Sequence, residues 1–182
     1  MVTPLLTFGH GTATAERIVE LLRGAGVEQL VDVRTAPGSR RNPHVARTAI
    51  SEWLPEHGIG YRWEKRLGGF RRARPDAPDT ALRNRAFAGY AGHMRSPEFL
   101  AAVDDLLAEA RLRRTAVMCA ESVWWRCHRR MIADFVVLAR ETPVLHLGHD
   151  GSLARHAPTD AARRRPDGLL VYDQGQDALF RE

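Results

Sequence analysis

Lysine is almost missing from this chain: of its 27 basic residues only Lys65 is a lysine, and the rest are arginines. Cysteine is scarce too. Cys119 and Cys127 are the only two in 182 residues. That excludes a disulfide-stapled scaffold and makes a reducing, cytoplasmic setting the expectation. No apolar run approaches the roughly 18–20 residues of a membrane span, so no membrane partner is expected. The opening MVTPLLTFGHG has neither a charged leader nor a long apolar segment, which argues against a secretory signal. Internal repeats and low-complexity tracts are absent as well. Hydrophobic residues at 44% and charged residues at 27% place the chain in the globular range.

What is abundant is arginine, and its placement says more than its total. Arginine grips carboxylates and phosphates as a flat, bidentate fork. A GC-rich coding sequence also favours it over lysine, so the choice of residue alone is weak information. Residues 34–95 hold 13 basic and 5 acidic side chains, a net of +8, and the remainder holds 14 and 17, a net of −3. The positive field therefore belongs to the middle of the chain. It can attract a nucleotide or nucleic acid, or it can be a solvated face with no partner.

Hydrophobic patterning predicts alternating strands and helices. Leu5 to Gly9 reads as a first strand, followed by a helix from Ala13 to Arg23 with Thr12 or Thr14 as its cap. Leu30 to Val33 is the second strand, residues 45–57 a helix, and Tyr61 to Trp63 the third strand. Residues 65–95 form an irregular basic insert with a short helix ending near Tyr90. Ser96-Pro97-Glu98 is a strong helix start. Thr115 to Met118 is the fourth strand, Val123 to Arg140 a helix, and Pro143 to Leu147 the fifth strand. Leu153 begins a short added strand. The extension over residues 150–182 holds a short helix at 159–165 and an apolar patch at Leu169 to Tyr172. The expectation is one α/β domain over residues 1–182, three layers deep. Its mainly parallel five-stranded sheet has the Rossmann-like order 3-2-1-4-5 and a ligand crevice between strands one and four.

That topology gathers chemistry at the carboxyl ends of the strands. His10 follows strand one, Asp32 and Arg34 end strand two, and Cys119 and Glu121 end strand four. The next helix carries Cys127, His128 and Arg129 in its first two turns. A thiolate at Cys119, with His10 or His128 taking its proton, is one reading; a small buried hydrophobe is the other. Glu121 can act as a general base or pair with Arg129 or Arg34. Arg34 and Arg129 are candidate anion ligands, and Asp32 can orient one of them. Trp124 and Trp125 can stack on a base or pack in the core. His146, inside an apolar strand, reads as a satisfied core histidine. Cys119, Cys127 and His128 can also form a metal or redox site, although zinc cysteines usually come in closer pairs.

Several segments together resemble a known family. They are Thr7-Phe8-Gly9-His10, Asp32-Val33-Arg34 with Pro37 and Ser39-Arg40, Leu67-Gly68-Gly69, and Tyr90-Ala91 ahead of Ser96 to Phe99. Most specific is Met118-Cys119-Ala120-Glu121 followed by Cys127-His128-Arg129, Ile132-Ala133 and His146. The set resembles the bacterial domain-of-unknown-function family number 488. The resemblance implies a compact α/β domain whose motif positions are His10, Asp32, Arg34, Cys119, Glu121, Cys127, His128 and Arg129. It assigns no reaction. Two departures stand out: Gly11 follows His10 where the family usually has serine, and Trp124 replaces a frequent proline.

Three functional readings follow. One is a phosphate-bearing ligand site with Cys, His and Glu chemistry. The others are a non-catalytic nucleic-acid-binding module and a small metal- or redox-dependent domain.

Overall fold

The structure, a computed structural model, describes residues 2–175. Its strands are β1 (Leu5–Gly9), β2 (Gln29–Asp32), β3 (Gly60–Trp63), β4 (Thr115–Cys119), β5 (Val144–Leu147), β6 (Leu153–Arg155), β7 (Ala162–Arg164) and β8 (Leu170–Tyr172). Its α-helices are α1 (Ala15–Gly24), α2 (Arg47–Glu56), α3 (Arg85–His93), α4 (Pro97–Leu112) and α5 (Arg129–Arg140). Single 3₁₀ turns sit at Pro43–Val45, Lys65–Leu67 and Trp124–Arg126. β1 to β5 run parallel and β6 joins antiparallel to β5, so the fold is α/β with a mainly parallel sheet.

Alternation along each strand explains the layers. Leu6 and Phe8 of β1, Leu30 of β2, and Ala116 and Met118 of β4 face one side, where they meet Ile18 and Leu22 of α1 and Ile50 and Leu54 of α2. Leu5, Val31 and Val117 face the other side, against Phe99 and Val103 of α4 and Ile132 and Phe135 of α5. The starts of α1 and α4 follow their caps. Thr14 Oγ1 accepts from Arg17 N at 3.1 Å, and Ser96 Oγ accepts from Phe99 N at 3.2 Å.

The strand order is β3-β2-β4-β1-β5-β6, with six strands rather than five. β4 lies between β2 and β1, so the expected order 3-2-1-4-5 is corrected. β1 and β4 are both continuous buried runs, and nothing in their periodicity ranks one as more central. The expected order follows from a central first strand beside the second; in the structure β4 stands between them, so the consecutive strands β1 and β2 are not neighbours. The crevice survives the change. β1 and β4 remain adjacent, and the chain leaves them towards α1 on one face and α5 on the other.

Two helices also differ from expectation. Residues 123–128 are not the start of α5; they form a separate turn, and α5 begins at Arg129. Trp124 explains this, because its ring stacks flat on His146 at a centroid distance of 4.0 Å, a position a continuous helix does not supply. At 159–165 the chain forms β7, which pairs with β8 as a hairpin; no helix is present there. Leu170 and Tyr172 join the core beside α5. The tail of the extension, 176–182, lies outside the described residues.

Candidate functional site

A cleft of about 820 Å³ opens at the carboxyl ends of β1 and β4. His10, Arg34, Cys119, Glu121, Cys127 and His128 all contribute to its wall. Asp32 and Arg129 stand behind it, fully buried. The topology therefore gathers residues spread over more than a hundred positions of chain.

The two cysteines touch. Their Sγ atoms are 2.7 Å apart. Cys119 ends β4 and faces the Glu121 carbonyl oxygen at 3.5 Å. Cys127 precedes α5, where the Arg129 backbone N–H points at its sulfur at 3.5 Å. His128 Nε2 sits 2.9 Å from the Val33 carbonyl oxygen and must donate to it. This tautomer leaves Nδ1 as a lone pair directed at Cys127 Sγ, 3.5 Å away. The sequence offered Cys119 as the thiolate; the surroundings favour Cys127. Burial raises the Cys119 thiol well above its usual range, and contact with Cys127 adds to that. Burial also opposes ionisation of Cys127, but the Cys119 hydrogen bond, His128 and Arg129 outweigh it, and Cys127 is pushed well below the usual range.

His128 is held on three sides. Tyr90 packs edge-on against its ring at 5.2 Å, while the Tyr90 hydroxyl donates to the Leu67 carbonyl at 2.9 Å. A Cβ on Gly69 would come within 2.7 Å of Nδ1, so that backbone lies directly over the imidazole. These placements give Leu67, Gly69 and Tyr90 of the motifs a physical purpose that sequence reasoning missed. Glycine next to glycine after a strand is the signal of close backbone approach.

His10 does not reach the thiols. Its Nδ1 donates to the Gly11 carbonyl at 2.9 Å, and its Nε2 faces Arg34 Nη1 at 3.3 Å. Burial first, then Arg34, lowers its pKa below the ordinary histidine value. Arg34 is clamped by Asp32, through Nε at 2.8 Å and Nη2 at 2.6 Å, and also donates to the Val45 carbonyl at 2.7 Å. Tyr61 donates to the same carboxylate at 2.6 Å. Most of the Arg34 fork is thus committed inside the protein.

Arg129 is 1% exposed and has no carboxylate partner among the described residues. Nη2 donates to the Glu121 carbonyl at 2.6 Å and Nη1 to Thr7 Oγ1 at 3.2 Å. The side chain of Glu121 turns away to cap Val123 N at 3.0 Å, so it pairs with neither Arg129 nor Arg34. A Cβ on Gly9 would overlap the Glu121 carbonyl oxygen and lie 2.7 Å from Arg129 Nη2. Gly9→Ala is therefore expected to lose about 1–3 kcal/mol of stability through overpacking. A urea midpoint equal to wild type would contradict this account of the glycine.

Beyond Arg129 runs a buried polar chain. Thr7 Oγ1 meets His146 Nδ1 at 2.6 Å, His146 Nε2 meets His156 Nδ1 at 2.9 Å, and His156 Nε2 meets Asp134 Oδ1 at 2.8 Å. One proton arrangement gives every donor an acceptor: Arg129 donates to Thr7, Thr7 to His146, His146 to His156 and His156 to Asp134. Tyr172 and Thr159 N donate to the same carboxylate, each at 2.9 Å. Both nitrogens of His146 are occupied, and Trp124 covers its face, so Trp124 is packed here and Trp125, 40% exposed, is not.

The uncommitted cations of the cleft are others. Arg40, Arg41 and Arg126 line it and are exposed, and their side chains form no hydrogen bond or ion pair with a described residue. Sequence reasoning set Arg34 and Arg129 above them; the adjacent pair Arg40-Arg41 in the loop after β2 was the available signal. Among the described residues, no group of three or more His, Cys, Asp or Glu is placed to hold a metal.

Comparison with curated proteins and with solved structures gave no match. The family model described as domain of unknown function DUF488 matches residues 14–136. That span takes in Asp32, Arg34, Cys119, Cys127, His128 and Arg129 but leaves out His10 and His146. It covers more than half of the chain, which therefore belongs to the DUF488 family.

Proposed function

We propose that the cleft binds a phosphate-bearing ligand, a nucleotide or a nucleic-acid end, and presents it to the Cys127 thiolate. One observation carries this reading: three exposed, uncommitted arginines, Arg40, Arg41 and Arg126, surround a cleft that also contains the cysteine pair. Arginines without internal carboxylates are available to an outside anion. The cleft volume of about 820 Å³ suits one nucleotide-sized molecule. Cys127 is the reactive group of that cleft, with His128 Nδ1 as its proton acceptor. Glu121, whose exposed carboxylate caps Val123 N at the rim, serves in this reading as the group that exchanges a proton with the ligand.

A strand rather than a mononucleotide is favoured by a second groove of about 460 Å³, lined by Arg71, Arg72, Arg74 and Arg165. Its lining begins at Arg71, the residue after Phe70 of the first cleft, and Phe70, 84% exposed, offers a surface on which a base can stack.

The test is titration with a nucleoside monophosphate and with a short single-stranded oligonucleotide. Arg40→Ala with Arg126→Ala is expected to weaken binding of either by about tenfold, or about 1.4 kcal/mol. Oligonucleotide affinity should also fall with rising salt. Affinity for both ligands unchanged in the double variant would remove this reading. Binding of the oligonucleotide alone would select the strand.

A further inference from the structure

The structure brings a second chemistry to the same cleft. We propose that Cys127 and Cys119 form a peroxide-reactive dithiol, in which Cys127 is oxidised by a hydroperoxide and Cys119 resolves it to a disulfide. The inference rests on the reading above only in taking Cys127 as the thiolate.

Geometry carries it. The chain has two cysteines, and the fold places their sulfurs 2.7 Å apart although seven residues separate them. They come from different elements, the end of β4 and the approach to α5, so their contact is a product of tertiary structure. A disulfide needs about 2.05 Å between sulfurs, which requires them to close by less than about 1 Å. Both line a cleft open to small solutes. The Arg129 N–H and His128 flank Cys127 alone, while Cys119 meets a carbonyl oxygen that holds its proton. One sulfur is thus set up to attack and its neighbour to follow.

The steps balance. Cys127 Sγ attacks the terminal oxygen of ROOH; an S–O bond forms, the O–O bond breaks, and RO⁻ leaves and takes a proton from water. The product is a Cys127 sulfenic acid. Cys119 Sγ then attacks the Cys127 sulfur; an S–S bond forms, the S–O bond breaks, and hydroxide leaves with the Cys119 proton as water. Two electrons pass from the sulfur pair to the peroxide. A small-molecule thiol returns them by exchange. While the disulfide stands, the cleft has no thiolate.

The experiment exposes the full chain to about one equivalent of hydrogen peroxide, followed by intact mass, thiol titration and peptide mapping. The expected product is lighter by two hydrogens, has no titratable thiol, carries a Cys119–Cys127 linkage and is restored by dithiothreitol. Cys119→Ser should instead accumulate a sulfenic acid at Cys127 that dimedone traps. Cys127→Ser should lose the reaction by about tenfold or more in rate. An unchanged wild-type mass overturns the proposal, as does oxidation of Cys119 in preference to Cys127. Nucleotide and oligonucleotide titrations of the same samples separate the two readings. Ligand binding without peroxide oxidation removes this inference alone, and disulfide formation in a protein that binds no phosphate ligand removes the other alone.

Discussion

Arg129→Met is expected to lower the unfolding free energy by about 3–5 kcal/mol, measured by urea denaturation at neutral pH. Removing a buried charge can be harmless when its partner goes with it. Here the partners stay. The Glu121 carbonyl and the Thr7 hydroxyl remain in place when the guanidinium is deleted, and Cys127 loses a positive charge that favours its ionised form. Each neutral acceptor left dry costs about 1–3 kcal/mol, and an anion costs more. Cys127 responds by holding its proton, so its alkylation by iodoacetamide should slow markedly at neutral pH. Arg129→Lys keeps a charge but has no fork to span Thr7 and Glu121, and it should recover little of the stability. A loss below about 1 kcal/mol in Arg129→Met would mean that the acceptors find other partners and that the cation does not organise the site.

Much of this site was legible in the sequence, because strand ends can be read from apolar runs. His10, Asp32, Arg34, Cys119 and Glu121 each follow such a run, and they do converge. Helix starts were legible where a cap marks them, as at Ser96. What periodicity cannot carry is the choice between equally apolar partners, so β4 took a place beside β2 that the chain order assigned to β1. It also misses aromatic side chains drawn off a helix by a distant ring, as Trp124 is by His146. The division of arginines was hidden for a similar reason. Arg34 and Arg129 carry the motif, yet buried carboxylate and carbonyl groups occupy them, and the cations facing the cleft are their plainer neighbours Arg40, Arg41 and Arg126.

Acid should unfold this protein early, and His146 is the reason. Burial, then His156 and Arg129, lower its pKa from 6.5 to about 3. The unfolded chain binds a proton at His146 as pH falls through about 6.5, whereas the folded chain does not until about pH 3. Between those values the unfolded state holds more protons, so stability falls with falling pH. It is fully present above about 6.5 and is lost on the way down. Two pH units of that window correspond to about 2–3 kcal/mol at pH 4.5. Burial lowers His10 and His93 as well, with the same sign. Glu64, held below the usual carboxylate range by Arg66 and Arg62 against its burial, adds a further loss at lower pH. The measurement is the urea midpoint at pH 7 and pH 4.5 in wild type and in His146→Gln. Glutamine has a donor and an acceptor for His156 and Thr7 but cannot titrate, so the variant should start lower and decline less steeply. Equal slopes in the two proteins would show that His146 is not the group that senses acid. A wild-type midpoint that holds steady to pH 4.5 would mean that the Thr7–His146–His156–Asp134 chain accepts a proton without opening.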